Sequence, residues 1–116
     1  MIGEFVLIRT YSAGVHMGTL VSCNGTAVLL EAPELHIKDP KERAAAMARN
    51  PDKKGWPRRL WRWRGANTLH EVSLYGIEPG SRISEPIEQI LLTQAIEVLV
   101  PTEKARETLE VSAWPD

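Results

Sequence analysis

The chain has 116 residues, 43% of them hydrophobic, which is enough for one buried core without a metal or disulfide staple; its single cysteine, Cys23, excludes an internal disulfide. A formal net charge of -1 argues against a general nucleic-acid binder, whose domain is usually clearly basic. No apolar run approaches the roughly 18 residues of a membrane span, and no basic segment with a long apolar run opens the chain, so no membrane association and a cytoplasmic location are expected.

In chain order, Glu4 to Tyr11 is rich in β-branched and aromatic residues and ends at Ser12-Ala13-Gly14, which predicts a strand and a turn. Phe5 and Leu7 share one face with Arg9 and Tyr11, and Val6, Ile8 and Thr10 share the other. Both faces begin apolar, so this strand is expected to be central and covered on both sides, with Arg9, Tyr11 and, across the turn, His16 near one rim. Residues 15 to 22 read as a second strand. Asn24-Gly25 is a strong hairpin signal, and Thr26 to Glu31 follows as a third strand, completing a meander. Cys23, at the hairpin end, reads as a small filler residue.

From Asp39 to Asn50 the pattern changes. Asp39 is a good N-cap, Pro40 suits the first helical position, Glu42 has capping-box spacing, and residues 44 to 48 are strong helix formers stopped by Pro51. This helix sits in a polar excursion from Pro33 to Pro57, read as an insertion into a single domain that spans residues 1 to 116.

Arg58-Arg59-Leu60-Trp61-Arg62-Trp63-Arg64 reads as a strand with Arg59, Trp61 and Trp63 on one face and Arg58, Leu60, Arg62 and Arg64 on the other. Alternation in Thr68 to Tyr75 suggests a partner strand. Ser81 to Glu85 reads as a short edge strand, Glu88 to Gln94 could take one helical turn, and Ala95 to Val100 is a further strand. Thr102 caps a helix from Glu103 to about Glu110, and Trp114-Pro115-Asp116 could dock on another subunit or fray. The fold class is α+β: mainly an antiparallel sheet, with a small barrel among the options, plus an inserted and a C-terminal helix.

Six of the fourteen Lys and Arg lie between Lys53 and Arg64 with no acid among them, so eight basic residues face fifteen acidic ones elsewhere and the rest of the chain carries -7. Such a separation marks a candidate anion site. The segment from Arg58 to His70 then adds two tryptophans, Asn67, Thr68 and His70 to four arginines, a set able to stack a base, pair with phosphate and hydrogen-bond a ribose or base edge. The competing reading places both tryptophans in the core and the arginines on a solvated face. His16, His36 and His70 are isolated from one another, so no metal site and no cofactor is expected, and no Walker or nucleophile-elbow motif occurs.

The phrases Arg9-Thr10-Tyr11-Ser12-Ala13-Gly14-Val15-His16, Arg58 to Leu69, Ser84-Glu85-Pro86 and Leu92 to Val98 together resemble a family of small phage-encoded proteins of unassigned function. By analogy with phage proteins of this size, the resemblance implies an anti-defence "sponge" that sequesters a nucleotide-derived immune signal without turnover. The ligand class would be an ADP-ribose derivative, as in Thoeris defence, or a cyclic dinucleotide, as in CBASS. It also implies a homo-oligomer in the cytoplasm of an infected bacterium. On that analogy Trp61 or Trp63 stacks adenine, Arg59 and Arg62 pair with a pyrophosphate, and Arg9, Tyr11, His16, Asn67, Thr68 and His70 orient ribose and base. Strand alternation separates Arg59 from Arg62, which leaves two ligand sets: Arg59 with Trp61 and Trp63, or Arg58 with Arg62 and Arg64. Two other readings stay open: a module that binds single-stranded nucleic acid or a host protein, and a nucleotide-degrading phosphodiesterase that uses His16 or His70.

Overall fold

The structure is a computed structural model and describes residues 2–33, 39–49 and 54–111. Its frame is an antiparallel sheet. Strand β1 (Phe5–Thr10) pairs with β2 (Val15–Asn24), which pairs with β3 (Ala27–Glu31), so the predicted meander is present. The first turn is tied by Thr10, whose hydroxyl donates to the Gly14 carbonyl at 2.7 Å and accepts from the Ala13 amide at 2.9 Å. In the second turn Asn24 is still paired, with Ala27, so the loop is Gly25 and Thr26, with glycine supplying the positive φ of 61°.

Strand β4 (Arg58–Arg62) pairs with the same edge of β2 that β3 uses, one after the other: Glu31 lies opposite Thr19, and Arg58 opposite Met17. In effect β3 and β4 are one strand path interrupted by residues 32–57, which is how a sheet accommodates an excursion without losing its register. Helix α1 (Pro40–Ala48) lies in that excursion, and the Asp39 carboxylate accepts from the Lys41 amide at 3.0 Å as its cap. Asn50, the stop at Pro51 and the closing Trp114-Pro115-Asp116 fall outside the described residues. Where the excursion rejoins the sheet, Pro57 crosses β2 so closely that a Cβ on Gly18 would lie 3.0 Å from the Pro57 Cα.

The second arm repeats this interruption. Strand β5 (Arg82–Ile83) pairs with β4, and β6 (Gln89–Leu92) pairs with β3. Residues 88–94 were expected to allow a helical turn; the pairing of Ile90 with Leu30 and of Leu92 with Val28 makes them a strand instead, because partners for both backbone edges and apolar side chains are at hand. Strand β7 (Ala95–Leu99) then pairs with β1. Among the described residues β6 and β7 share no ladder, so the sheet is not closed and the barrel option does not hold.

As predicted for a central strand, β1 is buried on both faces. Val6 and Ile8 join Leu20, Val28, Leu30 and Leu92 in one cluster, which requires the sheet to curl β3 and β6 over β1. Phe5 and Leu7 join Met17, Leu60 and Ile83 on the other face, beneath Leu69 and Val72 of α2 (Leu69–Tyr75) and Leu109 of α3 (Glu103–Val111). Each such side chain contributes about 1.5–3 kcal/mol on burial, so both faces add to stability.

Helix α2 replaces the strand expected for residues 68 to 75. The Thr68 hydroxyl accepts from the Glu71 amide at 3.2 Å as the N-cap, and Leu69 and Val72 lie one helical turn apart on the buried side. The local cap and a core partner override the alternation. Thr102 caps α3 as predicted, accepting from the Ala105 amide at 3.1 Å. Its hydroxyl also donates to the Leu74 carbonyl, joining the two helices at their ends. None of the described helices is long and apolar enough to cross a membrane.

Candidate functional site

The segment from Arg58 to Arg64 does not alternate regularly. Leu60 pairs with Ile83 and Arg62 with Arg82, so two steps along β4 match one step along β5, and Trp61 is the extra residue of a bulge. The parity of every later side chain therefore changes. Leu60 and Ile83 belong to the cluster under the helices. Arg82, the strand neighbour of Ile83, faces the other way, and Arg62, its partner, faces with it. Trp63 returns to the helix side, where it packs against the core and donates Nε1–H to the Ala66 carbonyl at 3.1 Å.

The two tryptophans are thus divided. Trp61 remains 55% exposed, and the Arg59 guanidinium carbon lies 3.9 Å from its ring centroid. The other side of that guanidinium rests on the β1–β2 turn: a Cβ on Gly14 would come within 3.0 Å of Arg59 Nη2. Gly14, with φ of 84°, is needed there both for its conformation and for its lack of a side chain. Arg59 lies opposite His16, which in turn lies opposite Ile8, so these three share one face.

His16 is only 6% exposed. Its Nε2 is 2.9 Å from the Ala13 carbonyl oxygen, an acceptor only, so that nitrogen carries the proton. Burial pushes the imidazole below its ordinary pKa; the Ala13 carbonyl opposes the shift and the neighbouring Arg59 charge adds to it. Burial and the Arg59 charge thus both favour the neutral ring.

Arg59, Arg62, Arg82, Trp61 and His16 thus lie on one face of the sheet, and among the described residues no carboxylate forms an ion pair with Arg59, Arg62 or Arg82. Arg82 was not singled out by sequence reasoning; the one signal was its place in a short edge strand next to the arginine-rich segment. Arg58 is separate: it lies on the Leu60 side, and its Nε donates to the Ser84 carbonyl at 2.9 Å. Burial lowers its pKa, an effect partly offset by Glu85.

Other candidates are placed elsewhere. Arg9 is opposite Val15 on the helix face, 3.8 Å from Glu97, whereas His16 faces the other way. Tyr11 is 79% exposed just beyond β1, with its amide bound to the Gln94 carbonyl. Thr68 serves as the cap of α2, Asn67 precedes it, and His70 lies exposed on that helix, which covers the face opposite Arg59. The structure therefore groups Arg59, Trp61, Arg62 and His16 and does not bring Arg9, Trp63, Thr68 or His70 to them.

A cleft of about 550 Å³ lies on the helix side between the start of β1 and α3. Glu4, Glu103, Glu107 and Glu110 outnumber Lys54 and Arg106 in its walls, a balance unsuited to a phosphate. Among the described residues no group of three or more His, Cys, Asp or Glu is arranged to hold a metal ion.

A family model described as a domain of unknown function, DUF6948, matches residues 55–109, from the point where the excursion rejoins the sheet to the last turns of α3. This is similarity to a family without an assigned activity, and it covers the Arg59 to Arg82 face together with both packing helices. No curated protein and no solved structure matches the chain.

Proposed function

We propose that this protein binds a nucleotide-derived ligand on the Arg59–Trp61 face and holds it without turnover. The observation that carries the reading is the bulge at Trp61, which leaves an aromatic ring exposed beside Arg59 and turns Arg62 and Arg82 toward the same side. An exposed indole offers a stacking surface for a base, and the Arg62 and Arg82 guanidinium groups, which form no ion pair among the described residues, offer bidentate contacts for phosphate. In the setting that the phage resemblance implies, the ligand is an immune messenger, an ADP-ribose derivative or a cyclic dinucleotide. The protein then acts as an anti-defence sponge in the cytoplasm of an infected bacterium. The face is open, so a second copy of the chain would serve to cover a bound messenger.

The test is to incubate the protein with ADP-ribose derivatives and cyclic dinucleotides, remove unbound ligand, denature by heat and chromatograph what is released. Intact ligand, lost in the Trp61→Ala variant, is the expected result. An altered product would show an enzyme, and no depletion of any compound would refute sequestration. The same openness favours single-stranded nucleic acid as a second reading. In that case affinity would rise with strand length and fall steeply with salt, because phosphate contacts release counterions.

A further inference from the structure

We infer that Arg62 and Arg82 form a clamp for a phosphate group carrying two negative charges, so the ligand of this face is a nucleotide with a phosphate monoester or a pyrophosphate rather than a lone phosphodiester. This rests on the reading of the face as a nucleotide site and adds to it the chemistry of the recognised group.

The two residues are direct partners across the β4–β5 ladder, and both are exposed. Side chains directly opposite in an antiparallel pair start from Cβ atoms about 5 Å apart, so two long arginines on one face can converge on a single tetrahedral group. Like charges directly opposite each other repel, and a nearby carboxylate would relieve the repulsion. Here neither arginine has an ion-pair partner among the described residues. Arg59 does not complete the set in the same way, since its guanidinium is already held between Gly14 and the Trp61 ring.

Charge matching then separates the ligand classes. A phosphodiester carries one negative charge and leaves one of the paired guanidinium groups uncompensated. A terminal phosphate or a pyrophosphate neutralises both, and each guanidinium presents the planar fork that grips two oxygens. The base of the same ligand reaches Trp61, the bulged residue between Leu60 and Arg62.

The test is calorimetric titration of the full chain with ADP, adenosine, the single-diester dinucleotide ApA and inorganic pyrophosphate. ADP is expected to bind at least about tenfold more tightly than ApA or adenosine, because each lost charge-assisted contact is worth about a factor of ten or more. R62Q and R82Q should each weaken ADP and pyrophosphate by about tenfold and leave ApA within about twofold, whereas Lys104→Gln, on the outer side of α3, should change nothing. Because each change removes one of two like charges directly opposite each other in the ladder, R62Q and R82Q should melt at or above the wild-type Tm, which guards against reading misfolding as lost binding. ApA binding as tightly as ADP, or R62Q and R82Q weakening both equally, would overturn the clamp and leave the nucleotide site standing. ADP bound no more tightly than pyrophosphate, weakened by R62Q and R82Q but not by Trp61→Ala, would keep the clamp and refute the nucleotide reading.

Discussion

The division of the two tryptophans by a bulge predicts opposite phenotypes for two substitutions that regular alternation would make equivalent. Trp63→Ala removes a ring packed against the core cluster on the helix side and a hydrogen bond to the Ala66 carbonyl. Complete burial of a tryptophan would put the loss at about 3–5 kcal/mol; Trp63 is half-buried, so about 2–4 kcal/mol is expected, including about 1 kcal/mol for the hydrogen bond. Trp61→Ala removes a ring that is 55% exposed and a surface contact with Arg59. That contact is worth about 0.5–1 kcal/mol at an exposed site, so the total should stay below about 1.5 kcal/mol. With roughly 4 °C of Tm per kcal/mol for a chain of this size, Trp63→Ala should melt about 8–16 °C below the wild type and Trp61→Ala no more than about 6 °C below it. Thermal unfolding followed by far-UV circular dichroism measures both, and the remaining tryptophans do not complicate that signal. Equal losses, or a larger loss for Trp61→Ala, would show that both rings share one face and that no bulge re-aims the strand.

Two further outcomes follow from single groups. Thr68→Ala removes the α2 cap and should cost about 1 kcal/mol in urea unfolding while leaving ADP affinity unchanged; a fall in affinity at unaltered stability would return Thr68 to the ligand set. His16, held below its ordinary 6.5, binds a proton less readily folded than unfolded, so its contribution to stability is fully present above pH 6.5 and is lost as the pH falls from there toward the folded value. The urea midpoint should therefore drop between pH 7.5 and 5.5 in the wild type and drop less in His16→Gln, and equal slopes in the two proteins would refute the assignment.

Local signals in the chain were sufficient for much of the fold. The glycine turn after Asn24 and the caps at Asp39 and Thr102 act within four residues of their own position, so they can be read in one dimension. The cap at Thr68 is equally local, but the alternation over residues 68 to 75 that suggests a strand is one that a short amphipathic helix of eight residues also satisfies. Residues 88–94 were ambiguous for a different reason: a short apolar stretch becomes a strand only when another strand offers it a ladder, and β3 is far away in sequence.

The candidate site was legible as composition and not as geometry. The clustered arginines and tryptophans at residues 58–64 show which groups are available for a candidate anion and stacking site, because side-chain type alone sets charge and aromaticity. Which of them meet was decided by β5, since the bulge at Trp61 exists only in register with Arg82 and Ile83. That pairing turns Arg62 to the side of Arg59 and of Arg82 and sends Trp63 to the core, a grouping that regular alternation does not produce. The placing of His16 beside Arg59 and the separation of Arg9 from both likewise depend on strand register. Sequence alone determined the kinds of groups available and the local turns and caps; long-range strand pairing, whose register changes the face of every side chain with a shift of one residue, determined where those groups point.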